Sequence, residues 1–90
     1  MNAATPRLRQ HLVVLVSADC PGCGRAREVA DEVRREVPTA TVEVVEVDEV
    51  GVPAGLPFLG TPSYVYNDRV ISLGNPATDE LVTILAGARR

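Results

Sequence analysis

The sequence predicts a single small α/β domain with the element order β-α-β-loop-β-β-α. Three observations predict it. A short β-branched apolar run, Leu12–Val16, leads within a few residues into a helical hydrophobic period. Two further apolar runs flank Asn67-Asp68, and an amphipathic segment closes the chain. Ninety residues with 46% hydrophobic composition suffice for one core and exclude a disordered chain.

The elements follow in order. Met1–Arg7 is polar and small and is broken at Thr5-Pro6, so a flexible tail is expected there, with residues 8–90 forming the domain. Leu12–Val16 suits a strand buried on both faces. After Pro21-Gly22, Ala26, Val29, Ala30, Val33 and Val37 recur at helical steps until Pro38 stops the pattern. Glu28 and Glu32 are a like-charge step on that helix, whereas Asp31 and Arg35 form a favourable pair. The stretch Thr41–Val50 alternates valine with acidic residues, which predicts a half-exposed strand whose Glu43, Glu46, Asp48 and Glu49 make a solvated edge. A strand, helix and strand in this order predict a parallel, right-handed βαβ unit. The Gly/Pro-rich stretch 51–60 is expected to be loop or one distorted turn. Pro62–Tyr66 and Arg69–Leu73 read as a hairpin around Asn67-Asp68. In the last helix Asn75 or Thr78 would be the N-cap, Pro76 a first-turn residue, and Leu81, Ile84, Leu85 and Ala88 the apolar stripe.

Composition narrows the function. The net charge is −3 and aromatics are 3%, neither of which suits a nucleic-acid surface. All nine cationic side chains are arginines, which reflects codon bias rather than function. No apolar run reaches the ~18 residues a membrane span needs, and "MNAATPRLRQ" lacks a signal-peptide core. The expectation is therefore a cytoplasmic monomer with neither nucleic-acid nor membrane partners.

Both cysteines lie in "SADCPGCGR", as Cys20 and Cys23. A C-x-x-C pair serves redox exchange, a metal or a structural disulfide, and in a reducing compartment the first two are favoured. Zinc wants four ligands, and two cysteines with one histidine fall short of a closed site within one chain. His11 opens the first strand, away from the cysteines, and is expected to be structural.

The element order, with C-x-x-C between the first strand and first helix, resembles the thioredoxin-like superfamily over roughly His11 to Gly87. Cys20, Pro21, Cys23, Ala26 and Arg27 are closest to the glutaredoxin pattern. Thr61-Pro62 matches the superfamily's cis-proline dipeptide, and Gly74 with Thr78-Asp79 loosely matches the signature opening the last helix. The resemblance implies a minimal thioredoxin/glutaredoxin-like fold, β-α-β-β-β-α, a mixed four-stranded sheet with helices packed on it. Departures stand at Ser17, where glutaredoxins often carry lysine, at Gly22 in place of an aromatic, at Val14 in place of the buried Asp of thioredoxins, and at Asp19 in place of their tryptophan. The helix expected between the second and third strands is reduced to the 51–60 loop.

Thiol–disulfide exchange needs an exposed, stabilised thiolate and a second thiol to resolve the mixed disulfide. Cys20 at a helix start is assigned as nucleophile and Cys23, one turn on, as resolving thiol. Pro21 and Gly22 complete the motif. Asp19 would raise the Cys20 pKa, while Arg25, Arg27 and the helix end would lower it. By resemblance, the Thr61 backbone beside cis-Pro62 pairs with an extended substrate, and Thr78 and Asp79 either cap the helix or receive the γ-glutamyl carboxylate of glutathione. Tyr64 and Tyr66 share one strand face, where packing is expected and a hydroxyl can approach the site. The expected activity is reduction of protein or glutathione-mixed disulfides. No bound cofactor is expected, and glutathione or a thioredoxin reductase would donate electrons. The alternatives are a dithiol module of the same fold holding a metal or iron–sulfur cluster, and a dithiol subunit serving one dedicated partner.

Overall fold

The strand β1 (His11–Val16) is central because its sequence is apolar on both faces, and only an interior strand can bury both. The computed structural model describes residues 10–56, 58 and 60–87, so the expected tail at Met1–Arg7 lies outside the described residues. β1 runs parallel to β2 (Thr41–Glu46) and antiparallel to β3 (Ser63–Tyr66), and β3 pairs antiparallel with β4 (Arg69–Leu73). The sheet order is β2-β1-β3-β4, the mixed four-stranded arrangement expected. Leu12, Val14, Val16 and Tyr64 pack with the helices on one face. Val13, Leu15 and Val65 form a smaller cluster on the other, joined by Val45, Val47, Leu56 and Val70.

The helix α1 (Cys23–Glu36) buries Cys23, Ala26, Val29, Ala30 and Val33, the stripe read from the sequence with the second cysteine added at its head. It ends where Val37 donates its N–H to the Val33 carbonyl, 2.8 Å away, just before Pro38. Asp31 pairs with Arg34 at 2.8 Å, not with Arg35 as the spacing suggested. Both spacings are allowed on a helix surface, and Arg34 also reaches the Val42 carbonyl at 2.9 Å.

β2 is shorter than its alternating pattern. It stops at Glu46, and Val47–Val50 form a one-turn helix, α2. The reason is pairing: β1 ends at Val16, opposite Glu46, so nothing remains for a longer strand to bond. The hairpin behaves as its turn chemistry requires. Asn67 and Asp68 have φ values of 49° and 71°, the left-handed pair that a type I′ connection demands.

α3 (Thr78–Gly87) begins at Thr78, with the Glu80 and Leu81 amides bonded back to the Ala77 carbonyl. Neither Asn75 nor Thr78 is therefore the N-cap, and Pro76 precedes the helix rather than sitting in its first turn. Leu81 and Leu85 are buried, but Ile84 is 41% exposed, so the stripe is narrower than expected; Val82 packs partly against the core. Ala88 lies outside the described residues.

Candidate functional site

What converges on the cysteines comes from strand ends at one end of the sheet: the segments leaving β1, β2 and β4 and the segment entering β3. Ser17–Gly22 links β1 to α1. Within it the Cys23 amide bonds the Cys20 carbonyl at 3.1 Å, and the Ala26 amide bonds Gly22 at 3.1 Å. α1 starts at Cys23 with Gly22 as its N-cap. Cys20 thus lies in the turn before the helix and not at its start as the sequence suggested, and Cys23 is the first helical residue rather than one turn on. The reason is that the Cys23 amide closes a turn on Cys20 and the helical bonds begin only at Gly22.

The two sulfurs are bonded at 2.15 Å, with Cα atoms 5.3 Å apart. Their exposure differs. Cys20 is half-buried, whereas Cys23 is 1% exposed beneath it. An incoming thiolate can therefore reach only the Cys20 sulfur. The Ser17 amide points at the Cys23 sulfur, 3.5 Å away, a donor that also suits a thiolate there.

The opposing wall is Thr61-Pro62, whose peptide bond is cis, as the resemblance implied. Pro62 is buried against the turn: a Cβ placed on Gly22 would lie 3.6 Å from the proline Cδ. The Ser17 and Thr61 hydroxyls bond each other at 2.7 Å and join the two loops. The Pro62 carbonyl accepts the Gly74 amide at 2.8 Å. Among the described residues the Thr61 backbone has no hydrogen-bond partner, so both of its groups can serve an extended chain.

Two further contacts brace the turn. The Ala18 amide donates to Asp48 Oδ2 on α2 at 2.7 Å, so the residue read as a solvated strand edge instead anchors the loop. Glu46 and Glu43 are likewise engaged, with Arg27 at 2.6 Å and His11 at 2.5 Å. Asn75 donates from Nδ2 to the Gly22 carbonyl at 2.9 Å and accepts the Tyr64 hydroxyl at 2.6 Å. Burial pushes the Tyr64 phenol up to about 12, so it remains a proton donor at any ordinary pH.

The charged candidates sit differently. Asp19 is exposed in the turn. The Arg25 guanidinium is committed to Glu28 at 3.1 Å and Glu32 at 3.3 Å, bonds that raise its pKa. Glu32 also accepts the Thr78 hydroxyl, the main cause of its lowered pKa. Arg25, Glu32, Thr78 and Asp79 line an open cleft of about 590 Å³ between α1 and α3. The structure thus gathers Cys20, Pro21, Gly22, Cys23, Thr61 and Pro62 at one place, and sets Thr78 and Asp79 in the neighbouring cleft. Sequence reasoning missed Ser17, Asp48 and Asn75 as site supports, whereas the Tyr64 hydroxyl, read as able to approach the site, reaches it through Asn75. Their signals were a departure from pattern, an acidic run and an apparent cap. Among the described residues no three His, Cys, Asp or Glu side chains cluster as a cation site.

The family model for the thioredoxin domain matches residues 10–86. The chain belongs to that family. No curated protein matches the chain. The thioredoxin domain here carries its dithiol where β1 turns into α1, facing the cis-proline, and is a redox-type dithiol module. The match covers every strand and helix described above up to residue 86.

Proposed function

We propose that this thioredoxin domain is a thiol–disulfide oxidoreductase that reduces protein or glutathione-mixed disulfides. The observation that carries the reading is the pairing of a half-exposed Cys20 sulfur with a buried Cys23 sulfur. In the reduced protein the Cys20 thiolate attacks one sulfur of the substrate disulfide. A Cys20–substrate bond forms, the substrate S–S bond breaks, and the first substrate thiolate leaves and takes up a proton. Cys23 then loses its proton and attacks the Cys20 sulfur. The Cys20–Cys23 disulfide forms and the second substrate thiolate leaves, so two electrons pass to the substrate. Two glutathione thiols, or the dithiol of a thioredoxin reductase, return the pair to its reduced state. We place this cycle in the reducing cytoplasm, where a dithiol can be kept charged with electrons.

Ser17 supports the resolving step, because its amide already points at the Cys23 sulfur. Thr61 supports substrate alignment, since its side chain is tied to the cysteine loop and its backbone groups have no internal partners among the described residues.

The test is reduction of a glutathione-mixed disulfide and of a disulfide-bonded protein, each with glutathione and with thioredoxin reductase as donor. Cys20→Ser is expected to fall to background with both substrates. Cys23→Ser is expected to accumulate a covalent substrate adduct on Cys20, detected by intact mass. A Cys20→Ser protein that retains its activity overturns the proposal.

A further inference from the structure

We infer that Asn75 is a positioning residue for the dithiol, acting through the Gly22–Cys23 peptide; this deepens the oxidoreductase reading and rests on it. The Gly22–Cys23 peptide plane is held at both of its polar ends. The Gly22 carbonyl and the Cys23 amide are its two ends. The amide closes the cysteine turn on the Cys20 carbonyl at 3.1 Å, and the carbonyl accepts Asn75 Nδ2 at 2.9 Å. That carbonyl also accepts the Ala26 amide at 3.1 Å. A second donor on it fixes the plane's tilt and polarises the amide on the far side, toward Cys20. Both effects hold the turn in the geometry in which the two sulfurs meet, and so favour the disulfide over the dithiol.

Asn75 is itself held on three sides. Its Oδ1 accepts the Tyr64 hydroxyl at 2.6 Å, which orients the amide with its nitrogen toward Gly22. Pro76 follows it and restricts its backbone to extended conformations. Gly74 precedes it and is bonded to the Pro62 carbonyl at 2.8 Å. The contacts close a ring: Pro62 to Gly74, Asn75 to Gly22, and Gly22 back to the Pro62 ring.

The ring also accounts for the glycine in the motif. A Cβ on Gly22 would lie 3.2 Å from Asn75 Nδ2, closer than such atoms normally approach. Residue 22 is bare so that the asparagine can reach its carbonyl. The two positions therefore act as a unit, and any side chain at 22 loosens the asparagine.

The experiment measures the equilibrium constant of the Cys20–Cys23 disulfide in glutathione redox buffers at fixed pH. This readout requires no turnover of a substrate, so the result stands apart from the fate of the proposed activity. In Asn75→Ala the disulfide constant is expected to fall about threefold, the worth of one exposed hydrogen bond. The charged groups set around the turn, Asp19 in the loop, Asp48 on α2 and Arg25 on α1, are unchanged by this substitution. Tyr64→Phe, which only frees the asparagine to turn, should lower the disulfide constant by less. Gly22→Ala should shift the constant in the wild-type background and add nothing in the Asn75→Ala background. A wild-type disulfide constant in Asn75→Ala, with only a lowered melting temperature, would show a merely structural bond and overturn the inference. Should Asn75→Ala fail to fold, an unshifted Tyr64→Phe overturns it equally.

Discussion

The two ends of the sheet are closed by polar contacts of the same kind but leave opposite things exposed. At the hairpin end the contacts of Gln10 and Asn67 turn inward. Gln10, 8% exposed, donates to the Leu85 carbonyl at 2.6 Å and accepts the Thr39 hydroxyl at 2.8 Å. His11 and Asn67 exchange two bonds, at 3.0 Å and 2.9 Å, and fasten β1 to the turn. At the cysteine end the contacts of Ser17, Asp48 and Asn75 hold a loop in place while the Cys20 sulfur and the Thr61 backbone stay open. One end spends its hydrogen bonds on holding the layers together; the other spends them on presentation. Substitutions at the two ends should therefore move different observables.

The largest effect is expected at the hairpin end. Gln10→Ala removes the donor to a carbonyl on α3 and the acceptor that Thr39 uses, so stability should drop by about 2 kcal/mol. For a domain of this size the melting temperature falls by about 10 °C. The disulfide constant in glutathione buffer should not move. A shift in that constant beyond experimental scatter would show that the two ends are coupled through β1, and would break the comparison.

Much of this arrangement was legible in the sequence because it rests on local chemistry. The both-face apolar run of β1, the α1 stripe from Ala26 to Val33 and the Asn67-Asp68 turn each follow from spacing and backbone preference, and the structure reproduces them. Cys20, Cys23 and Thr61-Pro62 were found through contiguous motifs. What escaped was tertiary. Asn75 stands just where a capping residue would, and only the folded chain shows that its partners are Gly22 and Tyr64, respectively 53 and 11 residues away. Asp48 continues an alternating strand pattern, yet β1 runs out of pairing positions at Val16, and the freed segment coils so that its carboxylate meets Ala18. Ser17 was visible only as a missing lysine. Its hydroxyl is used by Thr61, a contact between residues 44 apart.

A middle-sized effect is expected at the cysteine end. Ser17→Ala keeps the amide that points at Cys23 but removes the hydroxyl that ties the cysteine loop to the cis-proline loop. Catalytic efficiency against a protein disulfide should fall about three- to fivefold, with stability lowered by no more than about 1 kcal/mol. If the hydroxyl bond only stiffened the fold, the loss would appear in the melting temperature and leave the kinetics unchanged.

The smallest effect concerns the cleft beside the dithiol and shows itself only in acid. The Thr78 hydroxyl and, after it, Arg25 hold the Glu32 carboxyl below its ordinary value of 4.5. A group depressed in the folded state stabilises it fully above the unfolded pKa and loses that contribution as pH falls through the folded pKa. The wild type should therefore lose stability as pH drops below about 4.5, because the folded carboxylate resists the proton that the unfolded one accepts. Thr78→Val removes the leading cause of the depression, so its acid-limb slope should be shallower. The gap in melting temperature between the two proteins should be widest near neutrality and narrow at pH 3. A gap that stays constant with pH would mean that the hydroxyl stabilises α3 without touching the Glu32 charge. The cleft would then belong with the hairpin end, as a place where the chain merely closes on itself.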